Sequence, residues 1–176
     1  MTPTISTSHV ATLLKKTLRT AYPDTTFSVR KDRESGRYLE IRWTDGPSFD
    51  EVRKLAKPMQ GMEWGNSTYY RRFPVLVTVT IKGEEVTGWP LVHGFMLFHA
   101  LSPEVKAEAA RLWSEAHRGA TPGNVRGKTL VIDGQRIESD WADDQISGSF
   151  GIAELVVLPR IAAKAAQERA RLDKAP

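Results

Sequence analysis

Between Ser8 and Tyr22, Val10, Leu13, Leu14, Leu18 and Ala21 recur at helical spacing, with Lys15, Lys16 and Arg19 on the opposite side. This pattern predicts an amphipathic helix ended by Pro23. The period then changes. Phe27 and Val29 alternate with Ser28 and Arg30, and beyond a polar Lys31 to Gly36 connection Leu39, Ile41 and Trp43 alternate with Tyr38, Glu40 and Arg42. A period of two predicts a hairpin of two strands. Thr44-Asp45-Gly46-Pro47 is turn chemistry. Ser48 followed by Glu51 is a capping box that opens a helix carrying Phe49, Val52, Leu55, Ala56 and Met59 on one face, with Gly61 as its stop.

Further on, Val75, Val77, Val79 and Ile81 alternate with Thr78 and Thr80, and Lys82-Gly83 turns the chain into Glu85 to Thr87. Leu91 to Phe98 predicts another strand, and its apolar run Phe95 to Phe98 predicts burial on both faces. Ser102 and Pro103 start a helix whose inner stripe is Val105, Ala109, Leu112, Trp113 and Ala116. After Thr121-Pro122-Gly123-Asn124, the best linker candidate, Leu130 to Ile132 and Arg136 to Glu138 flank an Asp133-Gly134 hairpin turn. Leu155 to Leu158 fits strand or helix, and Ile161 to Arg171 is rich in helix formers and predicts a helix starting near Pro159. The order lacks regular βαβ alternation and predicts an α+β fold: helix, β-hairpin, helix, antiparallel strands, helix, then a C-terminal hairpin and helix. The expected organisation is a module over 9–119 and a C-terminal extension over 120–176.

One stretch is distinctive as a string. Leu14-Lys15-Lys16-Thr17-Leu18 through Ala21-Tyr22-Pro23 is followed by Phe27-Ser28-Val29-Arg30 and by Ile41-Arg42-Trp43-Thr44-Asp45-Gly46-Pro47. It resembles the large polyvalent protein-associated domain family numbered twenty-nine: a basic helix ending in aromatic-Pro, an "FSVR" strand and a "WTDGP" turn. The close match covers residues 9–61. A weaker one covers Gly94 to Pro103, where Phe95-Met96-Leu97-Phe98 leads into Leu101-Ser102-Pro103-Glu104. The resemblance implies a small α+β module of phage and conjugative-element proteins, with accessory or counter-defence work for mobile DNA. It brings no catalytic residue.

Composition narrows the chemistry. The 176 residues contain no cysteine, so a disulfide framework, a thiolate metal site and a Cys nucleophile are excluded. Apolar runs reach about four residues against the roughly 20 of a spanning helix, and no secretory pattern opens the chain, so a cytoplasmic protein is expected. Gly123 to Thr129 imitates a phosphate loop, but Pro122 stands where the first Gly is needed and a hairpin follows instead of a helix. Ser147-Gly148-Ser149-Phe150-Gly151 misses the nucleophile elbow at its first position. His9, His93, His99 and His117 form no i,i+4 pair. His93 and His99 on a continuous strand would stand roughly 20 Å apart, too far to share an ion. No metal or cofactor is expected.

The charge of +4, with a pI near 9.4, is a tilt that acquires an address along the chain. Arg30, Lys31, Arg33 and Arg37 crowd the first hairpin, and Tyr69-Tyr70-Arg71-Arg72-Phe73 interleaves rings with guanidinium groups. Cations for phosphates and flat rings for unstacked bases make Arg30, Lys31, Arg33, Arg37, Tyr69, Tyr70, Arg71 and Arg72 the candidate nucleic-acid contacts. Asp32, Glu34 and Glu40 partly neutralise the hairpin, and Tyr69 or Phe73 also fits a core. The expectation is a non-enzymatic accessory protein that binds nucleic acid or a nucleic-acid-handling protein. The alternatives are a protein-interaction module using Trp64, Tyr69, Tyr70 and Trp89, and a metal-dependent enzyme using Glu138, Asp140, Asp143 and Asp144 around Trp141.

Overall fold

The computed structural model describes residues 2–64, 70–72, 75–116, 129–132, 135–138 and 153–172. The chain divides into two compact units, Met1–Ala100 and Leu101–Pro176.

In the first unit a short strand β1 (Thr4–Ile5) leads into helix α1 (Thr7–Ala21). Ser6 caps the helix, its Oγ accepting from the His9 backbone N–H at 3.4 Å. Val10, Leu14 and Leu18 are fully buried on one side while Lys16 and Arg19 stay exposed. Pro23 disfavours helical geometry at the residue before it, and Tyr22 leaves the helix. Strands β2 (Ser28–Lys31) and β3 (Tyr38–Thr44) form the expected antiparallel hairpin. Helix α2 (Phe49–Ala56) carries the reciprocal capping box: the Ser48 N–H donates to Glu51 Oε2 at 2.8 Å and the Glu51 N–H to Ser48 Oγ. It ends before the expected Gly61 stop. Pro58 cannot donate to the helical ladder, and Lys57–Met59 tightens into a 3-10 turn.

Strands β4 (Met62–Trp64) and β5 (Tyr70–Arg72) pair as an antiparallel ribbon. Strands β6 (Val77–Ile81) and β7 (Glu84–Pro90) flank the Lys82-Gly83 turn, and β1 adds to β7 in parallel. Strand β8 (Gly94–Ala100) lies parallel to β3, giving a mixed sheet in the order β2-β3-β8. Here the expected double burial fails. Within its sheet β8 pairs on one side, and Phe98 is 42% exposed. The core gathers Val10, Leu14 and Leu18 of α1, Leu39, Ile41 and Trp43 of β3, Val52 and Ala56 of α2, and Val77 and Val79 of β6.

In the second unit, helix α3 (Pro103–Ala116) is capped by Ser102, whose Oγ accepts from the Val105 N–H at 3.3 Å. Strands β9 (Thr129–Ile132) and β10 (Gln135–Glu138) pair antiparallel with Ile132 opposite Gln135, and the expected Asp133-Gly134 turn lies outside the described residues. Ala153–Val157 is a π-helical turn running into helix α4 (Leu158–Leu172), so the ambiguous Leu155 to Leu158 segment is helical. A separate core joins Val105, Ala109 and Leu112 to Ala153, Val156, Val157 and Leu158. This packing groups α3 with the C-terminal elements. No helix of the described residues is long and apolar enough to cross a membrane.

Leu14 is wholly inside the first core, and replacing it by Ala should lower unfolding free energy by about 3 kcal/mol. Thr20→Ala on the exposed side of the same helix should stay within about 0.5 kcal/mol, both read from urea denaturation midpoints.

Candidate nucleic-acid interface

The loop between β2 and β3 is built around one carboxylate. Asp32 Oδ2 accepts from the Ser35 N–H at 2.7 Å, from Ser35 Oγ at 3.0 Å and from the Gly36 N–H at 3.2 Å, and Oδ1 accepts from the Tyr38 N–H at 2.8 Å. The Asp32 N–H donates to the Tyr38 carbonyl at 3.0 Å. Asp32 is 7% exposed. Burial pushes its pKa up, but the hydrogen bonds from Tyr38, Ser35 and Gly36 outweigh it and hold the carboxyl at about 2. Gly36 takes a φ of +67°, and the stem of Lys31 passes within ordinary contact of the place a Cβ would occupy.

The four hairpin cations, Arg30, Lys31, Arg33 and Arg37, are all exposed. Asp32 stays ionised among them and offsets part of their charge while its carboxylate also accepts from the backbone N–H groups of the loop. The Arg37 carbonyl accepts from the His93 N–H at 2.8 Å. The buried His93 ring meets Tyr38 edge-on at 6.1 Å, and burial, followed by the charge of Arg37, lowers its pKa.

The strand register sets two rows on the outer face of the sheet. Ser28, Arg42 and Phe98 stand side by side, and next to them Arg30, Glu40 and Met96. The Arg42 guanidinium lies over the Phe98 ring, 4.1 Å from its centroid, and Nη2 donates to Glu40 Oε2 at 3.1 Å. The Arg42 side chain is 56% exposed.

At the carboxyl ends of β3 and β8 this face opens into a groove of about 620 Å³, whose lining includes Ser28, Arg42, Trp43, Thr44, Phe98 and His99. Trp43 and His99 pair across the strands and stack at 4.7 Å with 13° between their planes. Trp43 Nε1 donates to the Pro47 carbonyl at 2.9 Å, and His99 Nε2 lies 3.2 Å from the Asp45 carbonyl. The Asp45 N–H donates to the Ala100 carbonyl. Asp45 and Gly46 both take positive φ, and a Cβ on Gly46 would stand 2.2 Å from Thr25 Oγ1. Thus the Phe27-Ser28 and Trp43-to-Pro47 strings meet at one place.

The second aromatic-basic segment is not part of this sheet. Tyr70, Arg71 and Arg72 form β5 on the separate ribbon with β4, and Tyr69 lies outside the described residues. Of the acidic group, Glu138 ends β10, while Asp140, Trp141, Asp143 and Asp144 lie outside the described residues, as do His117 and Ser147 to Gly151. Among the described residues no three His, Asp or Glu side chains are grouped to hold a metal ion. Sequence reasoning passed over Arg42 and Phe98. The outward alternation of Tyr38, Glu40 and Arg42 signalled the first; nothing local signalled that β8 is an edge strand.

The family model described as large polyvalent protein associated domain 29 matches residues 5–93. No curated protein and no solved structure matches the chain. The matched segment stops just before β8, so it holds Asp32 and Arg42 but neither Phe98 nor His99.

Two titrations follow from these environments. His93 has a folded pKa below its ordinary 6.5, so its contribution is complete above about 6.5 and is lost as pH falls from there toward the folded value. In His93→Gln, the decline of the urea midpoint between pH 7 and 5 should be shallower than in the wild type. Asp32 contributes fully above its unfolded value near 3.8 and loses that contribution as pH falls toward about 2. Asp32→Asn should remove this acid limb and speed amide hydrogen exchange at Ser35, Gly36 and Tyr38.

Proposed function

The chain belongs to the large polyvalent protein associated domain 29 family, an accessory-domain family associated with phages and mobile elements, and we propose that this member binds nucleic acid through the β2–β3 hairpin and the outer face of its sheet. The inward-turned Asp32 carboxylate carries the reading. A loop tied together by its own buried carboxylate holds Arg30, Lys31, Arg33 and Arg37 exposed on a fixed scaffold. Fixed cations lose less freedom on meeting a phosphate chain than cations on a loose loop. Counter-defence, in this reading, is work done on bound mobile DNA or RNA.

The test is fluorescence anisotropy with labelled single-stranded and duplex oligonucleotides over a range of salt. Wild-type affinity should fall steeply with salt. Arg30→Ala with Arg33→Ala should weaken binding to every sequence and reduce the log–log salt slope by about 2, one for each phosphate that is no longer neutralised. Salt-independent binding, or none at micromolar protein, overturns the proposal.

A further inference from the structure

Arg42 stands apart from the hairpin cations in its surroundings. Glu40 already holds one edge of its guanidinium at 3.1 Å, which compensates much of its charge, and the ring of Phe98 supports one face. With 56% of its side chain exposed, Arg42 lines the groove. A charge-compensated guanidinium makes a poor phosphate clamp and a good stacking plane, because Arg planes and aromatic rings are the platforms on which proteins lay unstacked bases.

We infer that the groove at the ends of β3 and β8 seats an unpaired base of a bound single strand, laid on the Arg42 guanidinium with Phe98 beneath it. This rests on the nucleic-acid reading above and names the part of the ligand that the groove takes. Three observations carry it. The volume of about 620 Å³ lies within the range of small-ligand sites. The groove's lining also includes Asp24 and the hydroxyl residues Thr26, Ser28 and Thr44, and hydroxyls that are each both donor and acceptor favour tolerance of base identity. The floor is rigid, since the Trp43–His99 stack and the hydrogen bond from Trp43 to Pro47 hold the strand ends and turn together. Arg30 lies in the adjoining row and is placed to take the phosphate of the same strand.

The experiment compares three labelled ligands on the full chain: a mixed-sequence single strand, the same backbone with abasic sites, and the duplex. A 2-aminopurine in the single strand reports stacking. The base-bearing strand should bind at least about fivefold more tightly than the abasic one, and its 2-aminopurine emission should be quenched. Arg42→Lys keeps the charge and removes the plane, so it should abolish that preference and the quenching while abasic binding persists. Phe98→Leu, with its melting temperature measured as a folding control, should act in the same direction. Equal binding of base-bearing and abasic strands, or a full preference in Arg42→Lys, overturns this inference and leaves phosphate binding standing. Failure to bind any of the three overturns both.

Discussion

The lengthwise pairing of β3 with β8 is the constraint on which the site depends. Parallel neighbours cannot be joined by a tight turn, and here the chain between Thr44 and Gly94 contains α2, the β4–β5 ribbon and the β6–β7 hairpin before it returns to β3. The return puts His99 beside Trp43 and Phe98 beside Arg42, residues more than fifty positions apart. One pairing therefore creates both stacks. The inner one, with Trp43 buried and His99 half-buried, is held by the turn at Asp45 to Pro47, and the outer one is left in solvent, where its energy is small, about 0.5–1 kcal/mol for an exposed cation–π contact. The outer stack is therefore a feature of the surface, and the core residues of β3 supply the stability beneath it.

The same division of labour governs Asp32. Burial alone would raise its pKa and favour the neutral acid, yet hydrogen bonds from the chain that follows it win, and the charged form is the one that fits. Each donor comes from within six residues, so the loop closes on itself without help from another element. Together the clamp and the pairing fix the two ends of one sheet face: the hairpin loop beyond Lys31, and the groove beyond Thr44 and Ala100.

Much of this was legible in local sequence. The α1 stripe, the β2–β3 alternation, the Ser48–Glu51 box and the Lys82-Gly83 turn act over a few residues, and the chain states them directly. The failures have a common cause. An apolar run such as Phe95 to Phe98 does not say how many neighbours its strand will have, and an edge position is decided by distant chain. The Asp32 clamp was not legible because sequence gives the sign of a charge but not which N–H groups it accepts from. The end of α2 was misplaced for a local reason: Gly61 is a favourable stop, but Pro58 acts first.

The modest net charge also becomes consistent with phosphate recognition once its distribution is taken into account. α1 packs on the face that carries Leu39, Ile41 and Trp43, so the exposed Lys16 and Arg19 project away from the sheet. A helix with side chains is about 10 Å across. The Debye length at physiological salt is about 8 Å. The α1 cations are therefore screened from a strand lying on the outer face, even though they count toward the total of +4. What such a strand meets is the local set, Arg30, Lys31, Arg33, Arg37 and Arg42, offset in part by Asp32, the exposed Glu34 and Glu40. On the proposed reading the whole-chain sum is the wrong measure of the field at the site, because binding depends on the charges of both signs within a Debye length of the phosphates.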